Sequence, residues 1–274
     1  MPSEPPGLSS QPSFLARERP FQRIGHVKAM AGAIAVTGAL VPAGMMFNMV
    51  QPNSATRLSS LWHRAISHSL GVKSTFSGTL ATGSVLYVCN HLSWLDIPVL
   101  GSRLHASFVA KSEVGSMPFV GFLARFQQTI YVERERRSRA PEQSGSIRAR
   151  LIAGDNVILF PEGTSSDGVQ VLPFKSALFA VAEDDAIRIQ PISLAYTHLN
   201  GMPITRQRRP DIAWIGDMRF GSHAVDFMRL GRTSAAILCH PPVRRADFSD
   251  RKALARYCQE QVAQGYRQLI RGQA

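Results

Sequence analysis

The sequence predicts an α/β fold: a central, mostly parallel or mixed sheet flanked by helices, preceded by an N-terminal pair of membrane-dipping helices. Three observations carry that expectation. Short apolar runs alternate with helical stretches from residue 71 to about residue 245, as strands joined by crossover helices do. From Ala29 to Val50 no charged residue appears, a run long enough to cross a bilayer as a helix. At 274 residues, 45% of them hydrophobic, the chain suits one large domain with appendages.

Residues 1–28 are rich in Pro and Ser with few apolar anchors, and read as a disordered basic tail. Residues 29–70 read as a membrane-associated helix pair. Its first segment is mostly Ala and Gly, carries Pro42 near the middle, and has Arg23, His26 and Lys28 before it and Arg57, His63 and Arg64 after it. Basic residues on both sides leave orientation open. A cleavable leader is a competing reading, opposed by the long charged approach and the lack of a clear small-x-small site. The second segment, 55–70, places Leu58, Leu61, Trp62, Ala65 and Ile66 on one helical face, with Arg57, His63 and Arg64 mostly elsewhere. With Gln51-Pro52-Asn53-Ser54 as the turn, the pair is expected to dip into one leaflet rather than span it.

Within the α/β domain, residues 71–245, strands are expected at 85–89, 107–110, 128–132, 156–160, 189–196 and 234–239. Helices are expected near 94–103, 119–126, 142–153 and 176–183. Residues 246–274 read as a C-terminal amphipathic helix, with Leu254, Cys258, Val262 and Leu269 on one stripe behind an Asp/Ser-rich cap.

The formal charge of +12, from 31 basic and 19 acidic side chains, calls for an anionic partner. The chain has no helix-turn-helix, zinc-finger or RNP-like pattern, and its aromatics do not interleave with its basic residues. An anionic membrane surface or an acidic ligand is therefore expected and nucleic acid is not. Three scattered cysteines (Cys89, Cys239, Cys258) cannot build a disulfide framework, which suits a reducing compartment.

Chemistry concentrates in a few clusters. The run 85–89 ends in Asn90-His91-Leu92-Ser93-Trp94-Leu95-Asp96. A carboxylate folded back onto one ring nitrogen fixes the tautomer of an imidazole and raises the basicity of the other nitrogen, which makes a general base. A core histidine capping a helix satisfies the same spacing, so the motif alone leaves both readings open. Lys111 ends the next strand, and Met117-Pro118-Phe119-Val120-Gly121 forms an apolar turn. Ile130-Tyr131-Val132-Glu133-Arg134 then leads into a loop with Arg136, Arg137 and Arg139. That loop is either a solvated charged face or an anion site at a strand end. Phe160 empties into Pro161-Glu162-Gly163-Thr164-Ser165-Ser166-Asp167-Gly168, a loop of backbone donors and hydroxyls that lacks the P-loop pattern. Leu172-Pro173-Phe174-Lys175 leads into a helix, and Ile189-Gln190-Pro191-Ile192 places a proline inside a strand-like run. No serine or cysteine nucleophile with a base partner is evident.

In order and spacing these blocks, from about Tyr87 to Tyr196, resemble the glycerolipid acyltransferase family founded on the 1-acylglycerol-3-phosphate acyltransferases. The four blocks are Asn90-His91…Asp96, Gly121 through Arg134, Phe160–Thr164 and Ile189–Ile192. The resemblance implies transfer of a fatty acyl group from an acyl carrier protein or coenzyme A thioester to a lysolipid hydroxyl. No metal or organic cofactor is expected, since His91 and Asp96, with four residues between them, do not have a metal-ligand spacing. It implies that His91 deprotonates the acceptor and that Asp96 orients His91. Head-group candidates are Lys111, Arg134, Glu162, Gly163, Thr164 and Ser165. Candidates for the acyl and oxyanion side are Asn90, Gly121, Lys175 and Pro191. In the phosphatidate-forming branch an arginine usually follows the threonine of the third block, whereas here Ser165 does, removing a bidentate phosphate partner. That variant is more similar to bacterial lyso-ornithine lipid O-acyltransferases, whose acceptor bears no phosphate. Lysophosphatidate stays open as a rival or second acceptor, as does another lysophospholipid. The expected location is the cytoplasmic face of a bacterial inner membrane. A non-catalytic basic membrane-binding protein is the alternative from a different class.

Overall fold

The computed structural model of the chain describes residues 20–50, 55–132, 140–216 and 218–273. Its centre is β2 (Val85–Cys89), where all five residues are buried. A run apolar on both sides is what a strand covered on both faces requires. Tyr87 and Cys89 join one core cluster and Leu86 and Val88 the other, the period-2 alternation of a pleated strand.

The other strands are β1 (Val72–Ser77), β3 (Ser107–Lys111), β4 (Ile130–Val132), β5 (Val157–Leu159), β6 (Arg188–Leu199), β7 (Met202–Pro203) and β8 (Thr233–Cys239). They lie in the order β1-β8-β6-β2-β5-β3-β4, with β7 pairing the end of β6. All contacts are parallel except β6 with β8 and with β7, so the sheet is mixed.

The expected strand at 128–132 shortens to Ile130–Val132 because the preceding helix ends in its first two residues. Gln128 takes φ 55 and Thr129 donates back to the Ala124 carbonyl, a left-handed helix cap. β1 escapes periodicity reading because Lys73, Ser74 and Thr75 give it little apolar alternation; it is an edge strand held by the ladder to β8. Pro191 fits inside β6 because the ladder to β8 begins only at Ile192.

Helices α1 (Pro20–Val50), α2 (Ala55–Ser69), α3 (Asp96–Gly101) and α7 (Phe220–Leu230) cover one face through Val41, Trp62, Ile66, Val99, Leu100 and Phe227. The opposite face is covered by α6 (Ala140–Ile152), a 3-10 turn at Ser176–Ala182 and α8 (Arg251–Ile270), through Ile147, Leu151, Phe179, Leu254, Cys258 and Val262. The Asp250 carboxylate caps α8 by accepting from the backbone of Lys252 and Ala253, at 2.7 and 2.8 Å. Two short helices, α4 (Ser112–Ser116) and α5 (Pro118–Phe126), precede β4.

Two expectations are corrected at the N-terminus. Residues 20–28, expected in the disordered tail, are the first turns of α1, with Pro20 at the helix start, where a missing N–H costs nothing. The rest of that tail, 1–19, lies outside the described residues, as does the turn 51–54. His63, expected off the apolar face of α2, is 2% exposed. It packs edge-on against Trp62 and Phe108, and a Cβ on Gly101 of α3 would lie 2.3 Å from its ring. Helix α2 is sandwiched between α1 and α3, so two of its faces are buried rather than one. Conversely α1 leaves Met30, Ile34, Met45, Met46 and Phe47 exposed, within a 23-residue stretch, Gly25–Phe47, long and apolar enough to cross a membrane.

Candidate active site

His91 stands just beyond the C-terminal end of β2, where open α/β sheets place their ligands. The chain turns through Leu92 to Leu95 and enters α3 at Asp96, which is fully buried. Asp96 Oδ2 lies 2.7 Å from His91 Nδ1 and also accepts from the backbone N–H groups of Leu92 and Ser93, at 2.6 and 3.0 Å. The Tyr196 hydroxyl, from β6, donates to Asp96 Oδ1 at 2.8 Å. A carboxylate only accepts, so its contact with His91 places the ring proton on Nδ1 and leaves Nε2 as a lone-pair site. The His91 side chain is 20% exposed, and no described hydrogen bond engages Nε2.

The loop after β5 holds the backbone of His91 from both sides. The Glu162 carboxylate accepts from His91 N–H at 2.8 Å, and Ser166 N–H donates to the His91 carbonyl at 2.8 Å. The Phe160 ring stacks on the imidazole, centroids 4.1 Å apart at 16°. Position, tautomer and ring plane of His91 are thus each set by a different partner. Glu162 also accepts from Leu172 N–H at 3.1 Å. Burial pushes its carboxyl up to about 8; the two backbone donors oppose that shift and the Asp96 charge adds to it.

The remaining candidates divide. Gly163 has φ 72, a left-handed backbone that favours glycine, and the Lys175 side chain lies over it, Nζ 2.5 Å from where a Cβ would stand. Thr164 is exposed beside it. The Ser165 hydroxyl donates to the Trp214 carbonyl, so its proton is committed to the loop that follows the 206–211 turn. That loop also reaches the first block, Trp214 N–H donating to the Leu92 carbonyl at 3.0 Å. Lys111 pairs with Glu113 at 2.9 Å. Arg134 and its neighbours 133–139 lie outside the described residues.

Three candidates for the acyl and oxyanion side make structural contacts of their own. The Asn90 amide pairs in both directions with the Leu194 backbone, at 2.9 Å each, extending the β2–β6 ladder through a side chain. Gly121 spends its N–H on the Met117 carbonyl, and a Cβ there would lie 2.3 Å from the Gly115 carbonyl, so it serves the close approach of α4 and α5. Pro191 has no N–H to donate and is buried in the sheet beside Val88.

Sequence reasoning missed Tyr196. The signal was present: a phenol at the end of a buried apolar strand, two residues beyond the Leu194 that pairs with Asn90. A second Ser–His contact exists, Ser193 Oγ to His240 Nε2 at 2.8 Å. Ser193 is fully buried, donates to the Val262 carbonyl, and is sealed by Gly265 of α8, so it offers no surface to an acyl thioester. Among the described residues no group of three His, Cys, Asp or Glu side chains is placed to hold a metal.

Comparison with known proteins places this geometry in context. A protein-family model described as Acyltransferase matches residues 72–195. A lyso-ornithine lipid O-acyltransferase of Brucella abortus is 39% identical over 85% of this chain and 90% of its own length. One from Rhizobium meliloti is 35% identical over 78% and 76%. A 1-acyl-sn-glycerol-3-phosphate acyltransferase of Neisseria gonorrhoeae is 35% identical over 48% of this chain and 51% of its own. The crystal structure of a 1-acyl-sn-glycerophosphate acyltransferase from Thermotoga maritima superimposes with a TM-score of 0.66 at 20% identity, over 90% of this chain and 97% of that one, which establishes the shared fold.

Proposed function

The chain belongs to the acyltransferase family, and from that premise we propose that it transfers a fatty acyl group from a thioester to the free hydroxyl of a membrane lysolipid, with His91 as general base. The observation that carries the reading is the His91–Asp96 contact at 2.7 Å with Nε2 unengaged. The acceptor hydroxyl gives its proton to Nε2 as its oxygen attacks the thioester carbonyl. Asp96 steadies the imidazolium, the tetrahedral intermediate collapses, and the thiol leaves with a proton from His91. No covalent acyl-enzyme is required, and no cofactor takes part. General-base action of this kind supplies roughly two to four decades in rate.

The acceptor is lyso-ornithine lipid, yielding ornithine lipid, with 1-acyl-sn-glycerol-3-phosphate as second substrate. Similarity across most of the chain to proteins named for the first acceptor supports that order, as does Ser165 in place of arginine. The donor is acyl carrier protein or coenzyme A thioester. The enzyme works from the cytoplasmic face of the inner membrane, held there by the apolar exposed side of α1 dipping into one leaflet.

The test supplies purified full-length enzyme with labelled acyl carrier protein or acyl coenzyme A and either lysolipid. Wild type is expected to acylate lyso-ornithine lipid faster, and His91→Ala to lose at least a hundredfold while staying folded and vesicle-bound. Wild-type turnover in His91→Ala would end the proposal. A faster reaction with 1-acylglycerol 3-phosphate would reverse the order of acceptors.

A further inference from the structure

A cavity of about 810 Å³ opens between α2, β1, the end of α3 and the start of β8, and shares no lining residue with the His91 site. It falls within the roughly 300–1,000 Å³ of ordinary ligand pockets. Arg64 and His68 come from α2, Lys73 from β1, Arg103 from beyond α3, and Arg232 from the approach to β8. No carboxylate lines it. Four permanent positive charges and an imidazole thus converge on one concavity with no acidic counterpart, an arrangement that concentrates positive potential.

All five basic residues are exposed, and polar contacts hold the Arg103 side chain and the Arg232 backbone. The Arg103 guanidinium is fixed by Ser74, its Nη2 donating to the carbonyl at 2.7 Å and Nε to the hydroxyl at 3.2 Å. The backbone of Arg232 is clamped by Asn200, which donates N–H to its carbonyl at 2.7 Å and accepts its N–H on Oδ1 at 2.8 Å. No described hydrogen bond or ion pair occupies the side chains of Arg64, Lys73 or Arg232. Ser67, among the lining residues and 6% exposed, carries a hydroxyl with no partner among the described residues.

We propose that this cavity is an anion site for a phosphate group, separate from the acyl-transfer centre. Arginine forks and a lysine ammonium match tetrahedral phosphate oxygens. The phosphate belongs to an anionic phospholipid head group or to a soluble phosphate ester. The first source is favoured by place: α2 packs on α1, whose exposed apolar side marks the lipid-facing region. Occupancy would tie α2, β1 and β8 to the segment that ends α3, the helix begun by Asp96.

Full-length protein is compared with Arg64→Gln/Lys73→Gln/Arg232→Gln and with a control of equal charge loss on α8, Lys252→Gln/Arg256→Gln/Arg267→Gln. Sedimentation with phosphatidylcholine vesicles containing about one quarter phosphatidylglycerol reads the lipid source. Thermal unfolding with millimolar glycerol 3-phosphate or inorganic phosphate reads the soluble one. The cavity triple is expected to bind anionic vesicles at least tenfold more weakly than wild type, and the control less than threefold. Protection by the soluble phosphates, lost only in the cavity triple, would support the site with the soluble ester as ligand. Should the triple fail to fold, single Arg64→Gln carries the same comparison, with a loss of about threefold expected against Arg256→Gln. Equal behaviour of cavity and control variants in both measurements would overturn the site. Neither measurement reads acyl transfer, so failure here and failure of the proposed reaction are distinguishable.

Discussion

The Tyr196 hydroxyl donates to Asp96 Oδ1 at 2.8 Å, on the carboxylate oxygen opposite the one that faces His91. The two residues are a hundred positions apart, and both are buried. Asp96 is therefore gripped from α3's own turn and from β6 at once, and its orientation toward the imidazole is set by the sheet as well as by the local loop.

Removing that grip gives the first prediction. In Tyr196→Phe the fold persists but one oxygen of Asp96 loses a buried donor, an interaction worth about 1.5–3 kcal/mol when the acceptor is charged. The turnover number is expected to fall about tenfold with KM within twofold, as measured by steady-state acyl transfer. An unchanged turnover number would place Tyr196 in packing alone.

Asp96→Asn tests the other partners of the same carboxylate. Oδ2 accepts three N–H donors and Oδ1 accepts the phenol, so an asparagine amide would face a donor whichever way it turned. Activity is expected to drop by about three decades or more, and chemical denaturation to show a loss of about 1–3 kcal/mol. Full activity with intact stability would contradict the described geometry.

Glu162 makes stability depend on pH. Its carboxyl is raised by burial to about 8, so between the ordinary carboxylate range and that value the folded chain keeps a proton the unfolded chain has released. Native stability contributed by this group is complete at acid pH and is lost as pH rises through about 8. Glu162→Gln cannot titrate. The stability gap between the two proteins is expected to change by on the order of 4 kcal/mol between pH 4.5 and pH 8.5, with wild type losing ground as pH rises. Parallel denaturation curves at both pH values would show that Glu162 titrates normally.

Gly121→Ala probes packing in the second block. A Cβ would meet the Gly115 carbonyl at 2.3 Å, so α4 and α5 must separate, at a cost of about 1–3 kcal/mol. A lowered thermal midpoint with turnover preserved at low temperature is expected. Lost turnover with an unchanged midpoint would return Gly121 to the reaction itself.

How far the chain could be read follows from the range of each interaction. The His91–Asp96 spacing, the strand 85–89 and the stripe of α8 are local: their periods and caps lie within a few residues of one another. The edge strand β1 was not legible, because its polar residues are stabilised by pairing with β8 some 160 positions away. His63 was misplaced for a related reason, since helical periodicity describes one buried face and α2 has two. The contacts of Gly121 and Asn90 were not legible either, because motif position does not say which partners a backbone N–H or a side-chain amide already has.

By itself, then, the sequence determined the α/β alternation, the apolar first helix, and the imidazole–carboxylate pair, because each is written in residue types a turn or a strand apart. Tertiary structure alone decided that Tyr196 and Glu162 brace that pair, that Ser165 is tied to the Trp214 loop, and that five basic side chains from four segments share one cavity. Those relationships join segments distant along the chain. They exist only once strand order and register have brought the ends of β2, β5 and β6 together at the site, and β1 beside β8 at the cavity, and no local pattern encodes that register.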